Sequence, residues 1–192
     1  MQGEVTQLVE NNDSEIEEGK VFRDYLWCPE KIQYIRSHHQ KRKFACTLCE
    51  IVKKNPQVPS WELFRDNKAM VVLNIYPFNP GHLMVVPLKH YENYEDLNDD
   101  LLLHLNKLVQ DSILLLKDPY NPDGFNVGIN QGYAGGGSIK HLHIQIVPRY
   151  KREANFFDIF SGTRVIVEGL KDTYEKLMEK IKTKKYFQTN KK

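Results

Sequence analysis

Residues 138–150 read SIKHLHIQIVPRY, where Leu142, Ile144 and Ile146 alternate with His141, His143 and Gln145. A period of two marks a β-strand with one face in a core, because successive side chains leave the pleat on opposite sides. A helix would scatter the same residues around its circumference. The chain therefore needs a sheet with a covering layer on the apolar side. The other side sets two imidazoles and an amide in a row, at roughly 6.5–7 Å per step. Such a row can line one extended ligand. An idle surface strand shows the same alternation, but its solvated face ordinarily carries Thr, Lys or Glu, so the functional reading is favoured.

The rest of the chain supplies the material for that core. Of 192 residues, 41% are hydrophobic and 27% charged, which excludes a wholly disordered chain and suits one domain. No apolar run approaches the roughly 18–20 residues of a membrane span. The N-terminal MQGEVTQLVENNDSEIEEGK has neither a basic nor an apolar region, so it does not read as a secretory signal. Three cysteines, an odd number, argue against a disulfide scaffold and for a cytoplasmic protein with reduced thiols. A net charge of +2 makes no electrostatic case for nucleic acid or an anionic membrane.

Residues 1–20 carry Glu4, Glu10, Asp13, Glu15, Glu17 and Glu18 and read as a flexible acidic arm. A single domain is expected over 21–183, followed by a Lys-rich tail at 184–192. FACTLCEIVKK (44–54) has the spacing of a short helix. Strands are expected at Glu62–Asp66, Ala69–Leu73, His82–Pro87, Phe125–Ile129 and Lys140–Val147, with turns at Asn67-Lys68 and Asn79-Pro80-Gly81. Asp99–Lys117 is apolar at helical intervals, capped by Asn98 or Asp99 and followed by a proline. Glu168–Lys182 is a second amphipathic helix, with Leu170, Tyr174, Leu177 and Ile181 on one face. Strands that follow one another before a helix intervenes favour an α+β fold with a largely antiparallel sheet of about five strands.

The glycines of 132–137 (GYAGGG) precede a strand and lack the G-K-[ST] of a phosphate-binding P-loop. They either bring backbone N–H groups close to a ligand or form a flexible loop. Asn74 and His82, on residue chemistry alone, are a turn-capping Asn and a strand-end His. Cys46-x-x-Cys49 is half of a tetrahedral metal site or two small buried residues. His38 and His39 are alternative metal ligands, Cys28 has no evident partner, and His104 reads as a surface or boundary residue of the long helix.

His141-Leu142-His143-Ile144-Gln145-Ile146-Val147 resembles the His-φ-His-φ-His/Gln-φ-φ signature of the histidine triad superfamily. LNIYPFNPGHLMVVPLKH (73–90) is similar to the hairpin that precedes it in that family. LWCPEKIQYI (26–35), CTLCEI (46–51) and NFFDIFSGTRVIVEGLKDTY (155–174) are similar to its diadenosine tetraphosphate phosphorylase, or ATP adenylyltransferase, branch. The resemblance spans about residues 25–180. It implies that His143 attacks an α-phosphate to give a nucleotidyl-histidine, with a backbone carbonyl, expected at His141, fixing its tautomer. A neutral imidazole suits this role because its unperturbed pKa is about 6.5. Gln145 would donate to a phosphoryl or bridging oxygen. Asn74, His82 and Leu73 would line the nucleoside pocket. Asn130, Gly136, Gly137 and Ser138 would lie at the phosphates.

A glutamine in the third position is typical of nucleotidyl transferases and phosphorolytic enzymes of the superfamily. This tilts the reading toward phosphate as acceptor, giving ATP and ADP, over a hydrolase of dinucleoside polyphosphates or nucleoside phosphoramidates. Zinc-bearing relatives place ligands where Cys46, Cys49, His90 and His141 stand here, which would make His141 a zinc ligand more than a catalytic group. The resemblance also implies a homodimer. A third class, a nucleic-acid-binding module, rests on Lys41-Arg42-Lys43 and Arg149-Tyr150-Lys151-Arg152. These clusters read more simply as solvated surface.

Overall fold

The structure, a computed structural model, describes residues 44–151, 153, 166–184 and 186–187, with the backbone of 24–25 and 163–164. The expected acidic arm, segment 26–35, residues 155–162 and 165, and His38, His39 and Cys28 lie outside the described residues.

In chain order the elements are β1 (Asp24–Tyr25), α1 (Thr47–Val52), β2 (Glu62–Arg65), β3 (Ala69–Leu73), β4 (Leu83–Pro87), a 3-10 turn (Tyr94–Asp96), α2 (Asp99–Tyr120), β5 (Gly124–Gly128), β6 (Ile144–Arg149), β7 (Thr163–Arg164) and α3 (Leu170–Thr183). Five strands form an antiparallel sheet in the order β2-β3-β4-β6-β5, and β1 pairs in parallel with β7. The fold is α+β, as expected.

Both faces of the sheet are covered, which explains why β3 and β4 are apolar at every position. Val71, Leu73, Leu83, Val85, Ile144 and Ile146 face α2 and α3. Met70, Val72, Met84 and Val86 pack against Leu48 and Ile51 of α1 and Val58. The register pairs Met84 with Gln145, so Gln145 stands on the α1 face.

Asp66 ties the first hairpin. Its Oδ1 accepts the amides of Lys68 and Ala69, both at 2.8 Å. Its Oδ2 lies 2.8 Å from His104 Nε2. His104 is therefore a buried partner of the hairpin and not a surface residue. Gly81 takes φ +83°, and a Cβ there would lie 2.9 Å from Leu116 of α2, so this turn admits only glycine. Asn98 caps α2 by accepting from the Leu101 amide at 2.9 Å.

Three boundaries differ from expectation. Helix α2 runs through Pro119 to Tyr120, because a proline in the last turn loses a single backbone bond and left-handed Asn121 closes the helix onto the Lys117 carbonyl. Strand β6 begins at Ile144, since residues 138–141 bend away from the ladder. Of the expected tail, Phe187 is buried in the main core and stacks on Phe64 with centroids 4.8 Å apart. Two aromatics outweigh the lysines around them.

Candidate active site and metal centre

The bend before β6 divides the polar row in two. His143 and Gln145 stay on the α1 face, and His141 turns toward α1 itself. His143 Nδ1 lies 2.9 Å from the His141 carbonyl, so Nδ1–H donates there and Nε2 keeps a bare lone pair. His143 is 7% exposed, and this burial holds its pKa below the ordinary imidazole value. The side chain is a neutral, oriented nucleophile.

A second imidazole fixes Gln145. The Phe78 amide donates to His82 Nδ1 at 3.2 Å, and the Phe78 ring stacks on the imidazole at 5.3 Å. That leaves the proton on His82 Nε2, and the Gln145 side chain is a hydrogen-bond partner of this imidazole. Burial pushes the His82 pKa down to about 3, helped by His143, while the Gln145 bond opposes the shift. His82 therefore stays neutral, with the Gln145 side chain as its hydrogen-bond partner. Nothing in residues 73–90 read alone assigns this tautomer, because the donor is the backbone amide of Phe78.

Asn74 sits beside His82, its amide donating to the His82 carbonyl at 2.9 Å. Its Oδ1 accepts from the Tyr76 amide at 2.9 Å, so the turn-capping reading is correct for that atom. Its Nδ2 remains 3.4 Å from His82 Nε2, on the site face. Leu73 does not line the nucleoside side. It packs into the helix-side core, because neighbours on a strand point to opposite faces.

The glycine loop closes on itself. The Gly136 amide donates to the Tyr133 carbonyl at 3.0 Å and the Gly137 amide to the Gly132 carbonyl at 2.9 Å. These two amides are engaged within the turn. A Cβ on Gly135 would lie 2.3 Å from the Gln131 carbonyl oxygen and one on Gly137 2.8 Å from those of Asn130 and Gly132. Asn130 Nδ2 reaches the Gly136 carbonyl at 3.5 Å, and Gln131 anchors the loop to the Tyr94 amide and Glu95 at 2.8 and 3.0 Å. Ser138 is exposed where the loop meets the triad segment. The nearby cations are paired: Arg149 with Glu153, Lys151 with Asp123 and Lys140 with Glu92.

Cys46, Cys49, His90 and His141 come together with their donor atoms all within 4.8 Å of one another. Cys46 Sγ and Cys49 Sγ lie 3.7 and 3.4 Å from His141 Nδ1, and Cys49 Sγ lies 3.1 Å from His90 Nδ1. Tetrahedral zinc, with bonds of about 2.3 Å to sulfur and 2.0–2.1 Å to nitrogen, sets its ligands roughly 3.3–3.8 Å apart. The tautomers fit as well. His141 Nε2–H donates to the Pro87 carbonyl at 2.9 Å, and His90 Nε2 lies 3.6 Å from Glu92, so both Nδ1 atoms are free to ligate. Burial pushes the His141 pKa down to about 4 and the Cys49 thiol up to about 11, the latter helped by Cys46. Neutral imidazoles are ready ligands, whereas the thiols would lose their protons to a cation.

An antiparallel five-stranded sheet that presents an oriented His-φ-His-φ-Gln segment beside the buried His82 defines a histidine triad protein. The HIT domain family model matches residues 55–152, and the chain belongs to that family. It is 38% identical over 154 residues to the AP-4-A phosphorylase of Mycobacterium tuberculosis, covering 77% of this chain and 79% of the relative. A hypothetical histidine triad nucleotide-binding protein from Sulfolobus tokodaii superposes with a TM-score of 0.58 at 34% identity, over 72% of this chain and 90% of that one. A Zn-bound histidine triad family protein from Mycobacterium smegmatis shares the fold with a TM-score of 0.61 at 23% identity, over 72% and 94%. Among the described residues no helix is long and apolar enough to cross a membrane.

Proposed function

We propose that the chain is a nucleotidyl transferase that moves an adenylyl group from a diadenosine polyphosphate to inorganic phosphate. The observation that carries this is the 2.9 Å contact of His143 Nδ1 with the His141 carbonyl, which leaves Nε2 as the nucleophile. The likeness to a protein named AP-4-A phosphorylase supports the substrate class.

In the first step the Nε2 lone pair forms a P–N bond to an α-phosphorus. The bond to the bridging oxygen breaks, and diadenosine tetraphosphate releases ATP. In the second step a phosphate oxygen forms a P–O bond, the P–N bond breaks and ADP leaves. Gln145, oriented by His82, donates to an oxygen whose charge grows in each transition state. It cannot carry a proton for water, whereas inorganic phosphate arrives already charged. Asn74 Nδ2 would meet the ribose, and Ser138 would meet non-reacting oxygens. Cys46, Cys49, His90 and His141 would hold a structural zinc, whose contribution is a cross-link between α1, the end of β4 and the triad segment.

Product analysis with diadenosine tetraphosphate, with and without phosphate, tests the reading. ATP and ADP in equal amounts, with turnover rising with phosphate, are expected. AMP as the dominant product in saturating phosphate would replace phosphorolysis with hydrolysis.

A further inference from the structure

Cys46 and Cys49 stand at the start of α1, one as its N-cap and the other in its first turn. The Cys49 amide donates to Cys46 Sγ at 3.3 Å, and the Cys46 carbonyl takes the first helical bond, from the Glu50 amide, at 3.2 Å. In a helix, residues three apart have Cα atoms about 5 Å apart. That lies within the span of roughly 4.4–6.8 Å that a disulfide bridges. The two sulfurs are within 4.8 Å of each other, so side-chain rotation brings them into bonding range. The cluster is also open to reagents, because both cysteines are half-buried and His90 beside them is exposed.

His141 depends on these sulfurs. Its ring is fully buried, and Nε2–H donates to the Pro87 carbonyl at 2.9 Å, which leaves Nδ1 as an acceptor. Nδ1 faces Cys49 Sγ at 3.4 Å and Cys46 Sγ at 3.7 Å. It meets an S–H donor when the sulfurs are thiols and a shared cation when they are thiolates. A disulfide offers neither, and a buried acceptor left without a partner is destabilised. The ring must then move. The same residue carries the carbonyl that takes the Nδ1 proton of His143 at 2.9 Å. Residues 138–141 precede the ladder, so no strand bonds hold them against the shift.

We infer that Cys46 and Cys49 form a redox-sensitive dithiol, that a hydroperoxide closes it, and that closure releases His141 and disarms His143. An S–S bond forms while two electrons and the two thiol protons pass to the peroxide. Its O–O bond breaks, and water and an alcohol leave (two waters from hydrogen peroxide). Where zinc is bound, solvent supplies the two protons and the cation is set free. Only the effect on turnover rests on the nucleotide reading above. The bridge and the shift of His141 stand on the geometry of the cluster.

Hydrogen peroxide added to the full chain, with no reductant present, tests the inference. Peptide mapping by mass spectrometry should find Cys46 and Cys49 joined within one peptide, lighter by two hydrogens, and dithiothreitol should reverse the bond. In heteronuclear NMR the His143 imidazole should lose its Nδ1–H tautomer signature on oxidation, while circular dichroism stays unchanged. Turnover of diadenosine tetraphosphate should fall about 100-fold, the effect of a misplacement of about 1 Å, and return with the reductant. Cys49→Ser should abolish the response of the His143 signal to peroxide. The readouts on the unaltered chain stand whether or not that variant folds. Absence of the bridge, a bridged chain with its His143 signal unmoved, or oxidation that unfolds the whole chain would overturn the inference. A bridge that shifts His143 in a chain that never cleaves diadenosine tetraphosphate would leave the switch standing and remove the transferase reading instead.

Discussion

His143 and His82 are both buried, but the atoms that hold them give them different tasks. His143 gives its Nδ1 proton to a carbonyl and keeps Nε2 for phosphorus. His82 accepts an amide at Nδ1 and has the Gln145 side chain as a hydrogen-bond partner. Replacing His143 with Asn removes the nucleophile but keeps a polar group. Turnover should fall by about a thousand-fold or more while nucleotide binding and the melting temperature stay near wild type. Near-normal turnover would dismiss a covalent step through this residue. His82 also predicts a stability profile. Its folded pKa is about 3, against the ordinary 6.5, so between those values the unfolded chain binds a proton that the folded chain refuses. Its contribution is fully present above pH 6.5 and is lost as pH falls toward 3, at up to about 1.4 kcal/mol per pH unit. Urea unfolding from pH 7 to pH 4.5 should show a steeper decline in the wild type than in His82→Gln. Parallel declines would assign the acid sensitivity to other groups.

At the scale of elements, the metal cluster joins parts that are distant in sequence: α1, the segment after β4 and the bend before β6. His141 serves both sites, through its ring toward the cysteines and through its carbonyl toward His143. Purified protein should therefore carry about one zinc per chain, measured by elemental analysis after preparation without chelator. Cys46→Ser with Cys49→Ser should lose the metal and lower the melting temperature by roughly 6–12 °C, the equivalent of about 3 kcal/mol in a chain of this size. Metal-free wild-type protein would leave the four residues as ordinary neighbours. The four candidate ligands were legible because each matched a position in a known pattern. What the sequence concealed was carried by backbone atoms and bends. The Pro87 carbonyl, the Phe78 amide and the internally bonded Gly136 and Gly137 leave no side-chain signature. Period-two alternation assigned the faces of Ile144 and Ile146 correctly, yet it could not show that the segment bends at 138–141 before the ladder starts. Leu73 was misplaced for a related reason: proximity to Asn74 in sequence is opposition in a strand.

For the whole molecule, the two edges of the five-stranded sheet differ. Strand β2 carries Glu62 and Arg65 and an irregular register between Glu62 and Phe64, the features with which natural sheets blunt an edge. Strand β5 reads Gly-Phe-Asn-Val-Gly, without a charge, a proline or a bulge, and among the described residues nothing pairs with its outer side. Val127 on this strand is 46% exposed. Helix α2 adds Leu103 and Leu114, 57% and 54% exposed, whose spacing of eleven places them within about 20° on one face. A bare strand edge invites a partner strand, and a second copy supplies an identical one in antiparallel register about a two-fold axis. The chain should sediment as a dimer at micromolar concentration. Val127→Lys sets two like charges near the axis of such an interface while leaving the monomer core untouched. It should shift the equilibrium toward monomer, with sedimentation velocity as the measurement and circular dichroism as the check on folding. A wild-type chain that sediments as a monomer across that range would show that β5 is guarded by some other means.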